Sequence, residues 1–333
     1  MGKMKDNKSI WKKITGSREA SLLIVLIILC VVISFRSPSF MTLKSITDML
    51  KNNAVIMIMT LGMLGVLLLG GIDISIASTL AFSGMTVGML LKYNIVENAF
   101  LLFLIAIGLG ALCGLVVGLV IAKGKVLPII ATMGFMYIYR GLAYLIGNSQ
   151  WASAENLGEF KNFALGKVLG INNVVLIMLL CYVIFFIVMK WTKIGRKVYA
   201  VGSNREAAAI SGINTSNVEL MVYTVMGTLA GLCGALAVAV YSSAQPNMLY
   251  GKEMDVIAAC VIGGVSMTGG RGSVVGAFLG SLILAIIAKA LPLVGIDSIA
   301  QNTVKGVIIL VVVILNVVTQ RVMDKNNLKG REM

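Results

Sequence analysis

Long apolar runs, broken only by short polar segments, fill this chain from residue 21 to residue 320. Bilayer hydrocarbon is about 30 Å thick and a helix rises about 1.5 Å per residue, so a crossing takes about 20 apolar residues. Ten stretches approach that length: about 21–35, 52–72, 74–91, 98–121, 127–147, 172–190, 218–241, 254–268, 274–290 and 303–320. Only Gly269-Gly270-Arg271-Gly272 separates the short pair 254–268 and 274–290. That pair reads as two short buried helices or as a re-entrant hairpin, which hydrocarbon tolerates only where protein or water covers the backbone. Charged residues make up 13% of the 333, against about 25% in an ordinary soluble domain. The chain therefore cannot furnish a soluble surface. The expected fold is an all-α membrane protein, a polytopic helical bundle of about ten transmembrane segments, with eight as the lower count.

Basic residues set the orientation, because loops left in the cytoplasm are enriched in Lys and Arg. With the N-terminus inside, eighteen Lys/Arg fall on inner segments and eight on outer ones, so both termini are expected to be cytoplasmic. The expected organisation is a tail over 1–20, one transmembrane domain over 21–320 and a second tail over 321–333. The formal charge of +14 does not indicate a nucleic-acid partner, since the cations punctuate apolar runs and form no continuous stripe. With no His and no Cys pair at ligand spacing, a metal site is not expected, and the five Cys read as small buried hydrophobes. No small-residue cleavage site follows the first apolar run, so that run reads as a retained helix.

Thirty-six glycines imply close helix crossings. Gly114-x-x-x-Gly118 and Gly272-x-x-x-Gly276-x-x-x-Gly280 put small residues on one face, and compact packing within the bundle is favoured over self-association. One insert breaks the pattern. Residues 190–217 carry five Lys/Arg between flanks (168–189 and 221–251) that hold no charge. Within it, Ser203-x-x-Glu206 reads as a capping box, Ala207-Ala208-Ala209 as the propagating turn and Gly212 as the left-handed stop. The resulting helix of about two turns needs packing to persist. It lies either on the underside of its own bundle or in a cleft of a partner.

Glu206-Ala207-Ala208-x-x-x-Gly212 resembles the cytoplasmic motif of permease subunits in binding-protein-dependent ABC importers. The wider run GRKVYAVGSNREAAAISGIN is similar to the monosaccharide branch of that family, the ribose, xylose, rhamnose and autoinducer-2 type. Two further blocks agree: Gly70-Gly71-Ile72-Asp73-Ile74-Ser75, and Glu253 to Ala259 continuing to Gly263-Gly264-Val265-Ser266 and Gly269-Gly270-Arg271-Gly272. The Ile-x-Leu-Pro tail of classical motifs is missing, which favours the sugar and branched-chain branch. The resemblance implies a coupling helix between segments 6 and 7, with Ser203, Arg205, Glu206, Ala207, Ala208 and Gly212 engaging an ATPase. It implies as partners two ATPase subunits or one fused tandem ATPase, a second permease subunit of the same or a paralogous kind, an extracytoplasmic solute-binding protein and the bacterial plasma membrane. No Gly-x-x-x-x-Gly-Lys-[Ser/Thr] occurs, so this chain binds no nucleotide in a P-loop and is not itself an enzyme; ATP and Mg belong to the partner ATPases.

Ionisable residues at membrane depth are costly and default to functional candidates. Asp73, with Ser75 and Ser78, is a candidate for the substrate pathway or a gate, although a helix cap is the favoured reading. Glu253 and Asp255 open the eighth segment and complement its dipole; their functional reading, with Trp151 in the outer loop 148–173, is docking of the binding protein. Arg140 snorkels or pairs with a carboxylate, and Lys305 is expected to snorkel outward. The function expected is translocation of a small sugar or sugar-like solute. The alternatives are a branched-chain amino-acid permease or an ion-coupled secondary transporter, although midplane carboxylate pairs, the mark of the latter, are missing.

Overall fold

Hydrocarbon offers no partner to a bare peptide group, so the backbone satisfies itself in helices. The computed structural model describes residues 18–152, 158–297, 300–307, 310–311 and 314. Helix α1 (Arg18–Arg36) passes through a 3-10 turn (Pro38–Met41) into α2 (Leu43–Leu68), followed by α3 (Ile76–Lys92), α4 (Ala99–Ala122) and α5 (Pro128–Ile146). A short helix α6 (Gly158–Leu165) and the antiparallel pair β1 (Lys167–Val168) and β2 (Ile171–Asn172) precede α7 (Asn173–Trp191). Then come α8 (Lys193–Ser203), α9 (Arg205–Ile210), α10 (Thr215–Tyr241), α11 (Lys252–Ile262) and α12 (Val274–Leu293), and residues 300–307 are again helical.

Among the described residues seven helices are long and apolar enough to cross a membrane: α1, α2, α4, α5, α7, α10 and α12. The expected segment 74–91 is the shorter apolar helix α3, of 17 residues. The expected segment 254–268, read as a short buried helix or one arm of a re-entrant hairpin, is helical over its first part only. Its helix, α11, stops after 11 residues, about 16 Å, and the chain then runs without helix over 263–273. Two glycine pairs, Gly263-Gly264 and Gly269-Gly270, end the periodicity, with Gly264, Gly269 and Gly270 all at positive φ. The neighbouring 274–290 is the full-length helix α12. The expected tails 1–20 and 321–333 lie outside the described residues except for 18–20, as does much of the last expected segment beyond residue 307.

Helix α10 is the axis of the bundle, and glycines let its neighbours touch it backbone to backbone. A Cβ on Gly110 would sit 2.3 Å from the Gly227 carbonyl oxygen, and one on Gly114 2.3 Å from that of Tyr223. On the other flank, a Cβ on Gly234 would lie 2.6 Å from the Leu80 oxygen of α3. Gly276 and Gly280 do the same for α12, packing on Gly263 and Ala259 of the α11 end. The expected small-residue faces thus serve packing within the chain. Such contact carries much of the cohesion here, because lipid tails provide no hydrophobic push between helices. Gly227→Val forces a side chain into the α4 backbone and is expected to cost about 3 kcal/mol or more. Gly134→Ala on the open face of α5, where a Cβ meets nothing within 4 Å, should stay within about 0.5 kcal/mol of the parent. Unfolding of both variants in detergent checks the contrast.

Candidate functional site

The charged insert forms a corner of two helices. Thr192 starts α8, its hydroxyl accepting from the amides of Ile194 and Gly195 at 3.1 and 3.4 Å. Gly195, Val198 and Val201 form the buried stripe of α8, while Lys193, Arg196 and Lys197 are exposed. At its far end Gly202 abuts the Leu68 carbonyl so closely that a Cβ would overlap it at 1.8 Å. Burial raises the Tyr199 phenol above its ordinary value, and its hydroxyl donates a hydrogen bond to the Gly272 carbonyl at 2.9 Å.

The expected capping box is displaced by one residue. Ser203 is the last residue of α8; Asn204, extended at φ −159, caps α9 by accepting from the Ala207 amide at 2.9 Å. Asn is at least as good a cap as Ser, and the preceding helix claims Ser203. Glu206 therefore makes no reciprocal box. The stop is as expected: Gly212 has φ +80, its amide bonds the Ala209 carbonyl, and the Ile213 amide bonds that of Ala208, both at 3.0 Å. Ala208 is buried, and Ala207, Glu206 and Ala209 are exposed.

Arg205 is not a loose charge. Its guanidinium binds both oxygens of Glu219 on α10, Nη2 to Oε2 at 2.8 Å and Nη1 to Oε1. Glu219 is 9% exposed at its side chain and Arg205 54%, so the pair pins α9 to the bundle axis from the solvent side. The residue that pattern-reading missed is Ile210, 88% exposed on the last turn of α9.

Three separated sequence blocks meet under this corner. The Gly270 amide donates to the Leu68 carbonyl at 2.9 Å. A Cβ on Gly269 would lie 2.8 Å from the Gly202 oxygen and 3.1 Å from the Gly70 nitrogen, and one on Gly270 2.8 Å from the Ser203 Cα. The end of α2, the end of α8 and the irregular 263–273 segment therefore share one backbone junction. Beside it, Asp73 is 4% exposed and its Oδ1 accepts from the Ser75 amide at 2.8 Å and the Ser75 hydroxyl at 2.6 Å. This turn precedes α3, but the N-cap position is Ser75, so Asp73 bonds the cap residue and not the free amides of the first helical turn that the cap reading called for. Ser75 and Ser78 are buried. The hydroxyls of Ser78 and Tyr223 are buried with no hydrogen-bond partner among the described residues. Tyr223 faces Gly71, where a Cβ would meet its oxygen at 2.5 Å; its place six residues beyond the insert gave no hint of this.

At the opposite end the docking candidates separate. Trp151 is 62% exposed, and the adjacent Ala152 exchanges two backbone hydrogen bonds with Ala244 at 3.0 and 2.9 Å. Glu253, in contrast, is 7% exposed; a carboxylate so enclosed offers no face to a second protein. Asp255 is occupied by Lys252 at 3.0 Å and Lys305 at 3.2 Å. Both carboxylates stand in the first turn of α11, where the preferred helix-dipole reading put them, and Lys305 pairs inward where snorkelling was expected. Arg140 donates to the carbonyls of Pro246 and Met248 at 2.8 and 3.1 Å and stacks over Tyr250 at 5.6 Å. Residues 153–157 of the expected outer loop lie outside the described residues.

The chain is 37% identical to the ribose import permease protein RbsC of Escherichia coli K12 over 301 residues, 90% of this chain and 93% of that one. It is 38% identical to RbsC of Bacillus subtilis over 293 residues, 87% and 90% of the two chains. The galactose/methyl galactoside import permease protein MglC of Escherichia coli K12 is 31% identical over 324 residues, 91% and 95%. No solved structure matches the chain. Residues 45–316 match the family described as branched-chain amino acid transport system, permease component. With nine-tenths of its length shared with bacterial import permeases and seven helices fit to cross a membrane, this multi-pass inner-membrane protein belongs to that permease family.

Proposed function

We propose that this chain is the membrane-spanning subunit of an ATP-driven importer that carries a monosaccharide or similar small hydroxylated solute into the cell. The observation that carries the reading is the full-length likeness to permeases named for ribose and galactose. Two ATPase subunits, or one fused pair, supply the energy, a second permease subunit completes the pathway, and a binding protein delivers solute outside. Both termini face the cytoplasm, and α3, α11 with 263–273, and the helix from residue 300 make up the ten-segment plan. The family description names branched-chain amino acids, so the decisive panel holds ribose, galactose, arabinose and leucine. Liposomes carrying this chain, ATPase and binding protein are expected to take up one sugar only with ATP present. Uptake by the chain alone on a proton gradient overturns the proposal.

The corner α8–α9 is the coupling element. A push on α9 reaches α10 through Arg205–Glu219 and reaches α2 and 263–273 through the junction at Gly202. Exposed Ala207 and Ile210 seat α9 in an ATPase groove, the alanine by allowing close approach and the isoleucine as an apolar anchor; Glu206 adds a charge at the rim. Ile210→Asp is expected to weaken ATPase co-purification at least about tenfold while leaving detergent stability unchanged. Arg205→Ala, which strands the buried Glu219 carboxylate, is expected to lower stability by about 1–2 kcal/mol.

Asp73, Ser75 and Ser78 form an inner gate beside that junction, with Trp151 left as the docking contact outside. Asp73→Asn separates gate from turn, because Asn retains the acceptor oxygen and loses only the charge. Stability is expected within about 0.5 kcal/mol of the parent, with ATP-dependent uptake strongly reduced. Uptake at the parental rate identifies Asp73 as a turn residue alone.

A further inference from the structure

Where α7 ends and α8 begins, a cleft of about 570 Å³ opens between α1, α7, α8 and the start of α12. Its rim is cationic: Lys190 and Arg196 line it, and Lys193 and Lys197 are exposed on the same amphipathic α8. One carboxylate, Glu19, lies in it and already accepts from the Ser273 hydroxyl at 3.0 Å. The charge balance of the cleft therefore favours an anion. The cations are also held in place. The Lys190 ammonium sits 5.0 Å over the Phe186 ring and 5.5 Å over that of Trp191, and these two rings meet edge-on at 5.5 Å. Arg196 donates to the Trp191 carbonyl at 3.3 Å.

What fits is set by the walls. Leu179, Val183, Phe186 and Lys190 follow at three- and four-residue spacing, so the α7 face that carries the cation continues apolar down the span. Leu179 and Val183 are 40% and 54% exposed along that line. A small soluble anion has no use for such a wall, whereas a molecule with a charged head and hydrocarbon tails fills both parts. Trp191, 60% exposed at the helix end, marks the depth at which headgroups lie.

We propose that this cleft is a binding site for an anionic phospholipid, its phosphate held between Lys190 and Arg196 and its acyl chains laid along Leu179 and Val183 of α7. Basic pockets between helices at a membrane face bind such headgroups, and each cation near the surface contributes about fivefold in association. Because α8 also forms the junction with Leu68 and Gly270, an occupied cleft steadies the corner from its membrane side.

Spin-labelled phosphatidylglycerol and phosphatidylcholine in bilayers around the reconstituted full chain measure the preference directly, as the ratio of motionally restricted label. The parent is expected to prefer phosphatidylglycerol several-fold. Lys190→Gln with Arg196→Gln should bring the ratio close to one, and Lys190→Arg should retain it. Lys123→Gln with Lys125→Gln, which removes the same charge from another exposed loop, should leave it unchanged. An equal fall in both double variants would mean diffuse attraction by a basic protein and overturns the site. So does an unchanged ratio in the Lys190/Arg196 variant. Displacement of the label by millimolar inorganic phosphate, but not by chloride at matched ionic strength, would reassign the cleft to a free anion and equally overturns the proposal.

Discussion

Everything in this bundle depends on the approach of α4 and α3 to α10 at backbone distance. In hydrocarbon, side chains gain nothing by leaving lipid for protein, so cohesion comes from dispersion and from the closeness that permits it. Gly110, Gly114, Gly227 and Gly231 supply that closeness on one flank, and Gly84 and Gly234 on the other. With α10 so held, Glu219 near its start becomes a fixed post, and the solvent-side corner has something rigid to lean on. The same economy appears at the junction of Leu68, Gly202 and Gly270, where three chain segments converge with almost no side chain between them.

Much of this was legible in the residue pattern. Apolar length located every long helix, and most ends fell within a few residues, because the transition from greasy to charged coincides with the transition from lipid to water. The largest boundary miss was at α2, which begins at Leu43 where the apolar run seemed to start at 52; its first turns hold Lys44, Asp48 and Lys51, which a helix emerging from the bundle accommodates at no cost. The 254–268 stretch, too short for a comfortable crossing, read either as a buried helix or as a re-entrant arm. Its composition is apolar because protein buries it, not because lipid surrounds it, and hydropathy alone cannot separate those two environments.

Polar detail was less legible, and for a definite reason. Whether a carboxylate greets a partner protein or is spent inside depends on what lies across from it, and the answers here are remote in sequence: Lys305 lies 50 residues from Asp255, and Arg140 finds its acceptors 106 and 108 residues away. Local signals performed better where the chemistry is local. Gly212 ends its helix as its type demands, and Asp73 bonds two residues on. Ser203 failed because two helices compete for the same few residues, and Asn204, equally suited as a cap, stood next to it. Ile210 and Tyr223 carried no mark in the pattern at all, being ordinary residues made unusual by exposure and by isolation.

The joint between α8 and α9 consists of one extended residue, Asn204, whose side chain is already committed to the Ala207 amide. A knuckle of that kind has a single pair of backbone torsions and no slack. Most surface connections absorb an inserted residue without complaint; here one more residue, about 3.3 Å of chain, would swing the α9 tip to a new bearing relative to its tether at Glu219. Loop-length tolerance, usually the freest variable of a membrane protein's solvent face, is thereby forfeited at this one spot, and the spacing between Gly202 and Arg205 acts as a ruler.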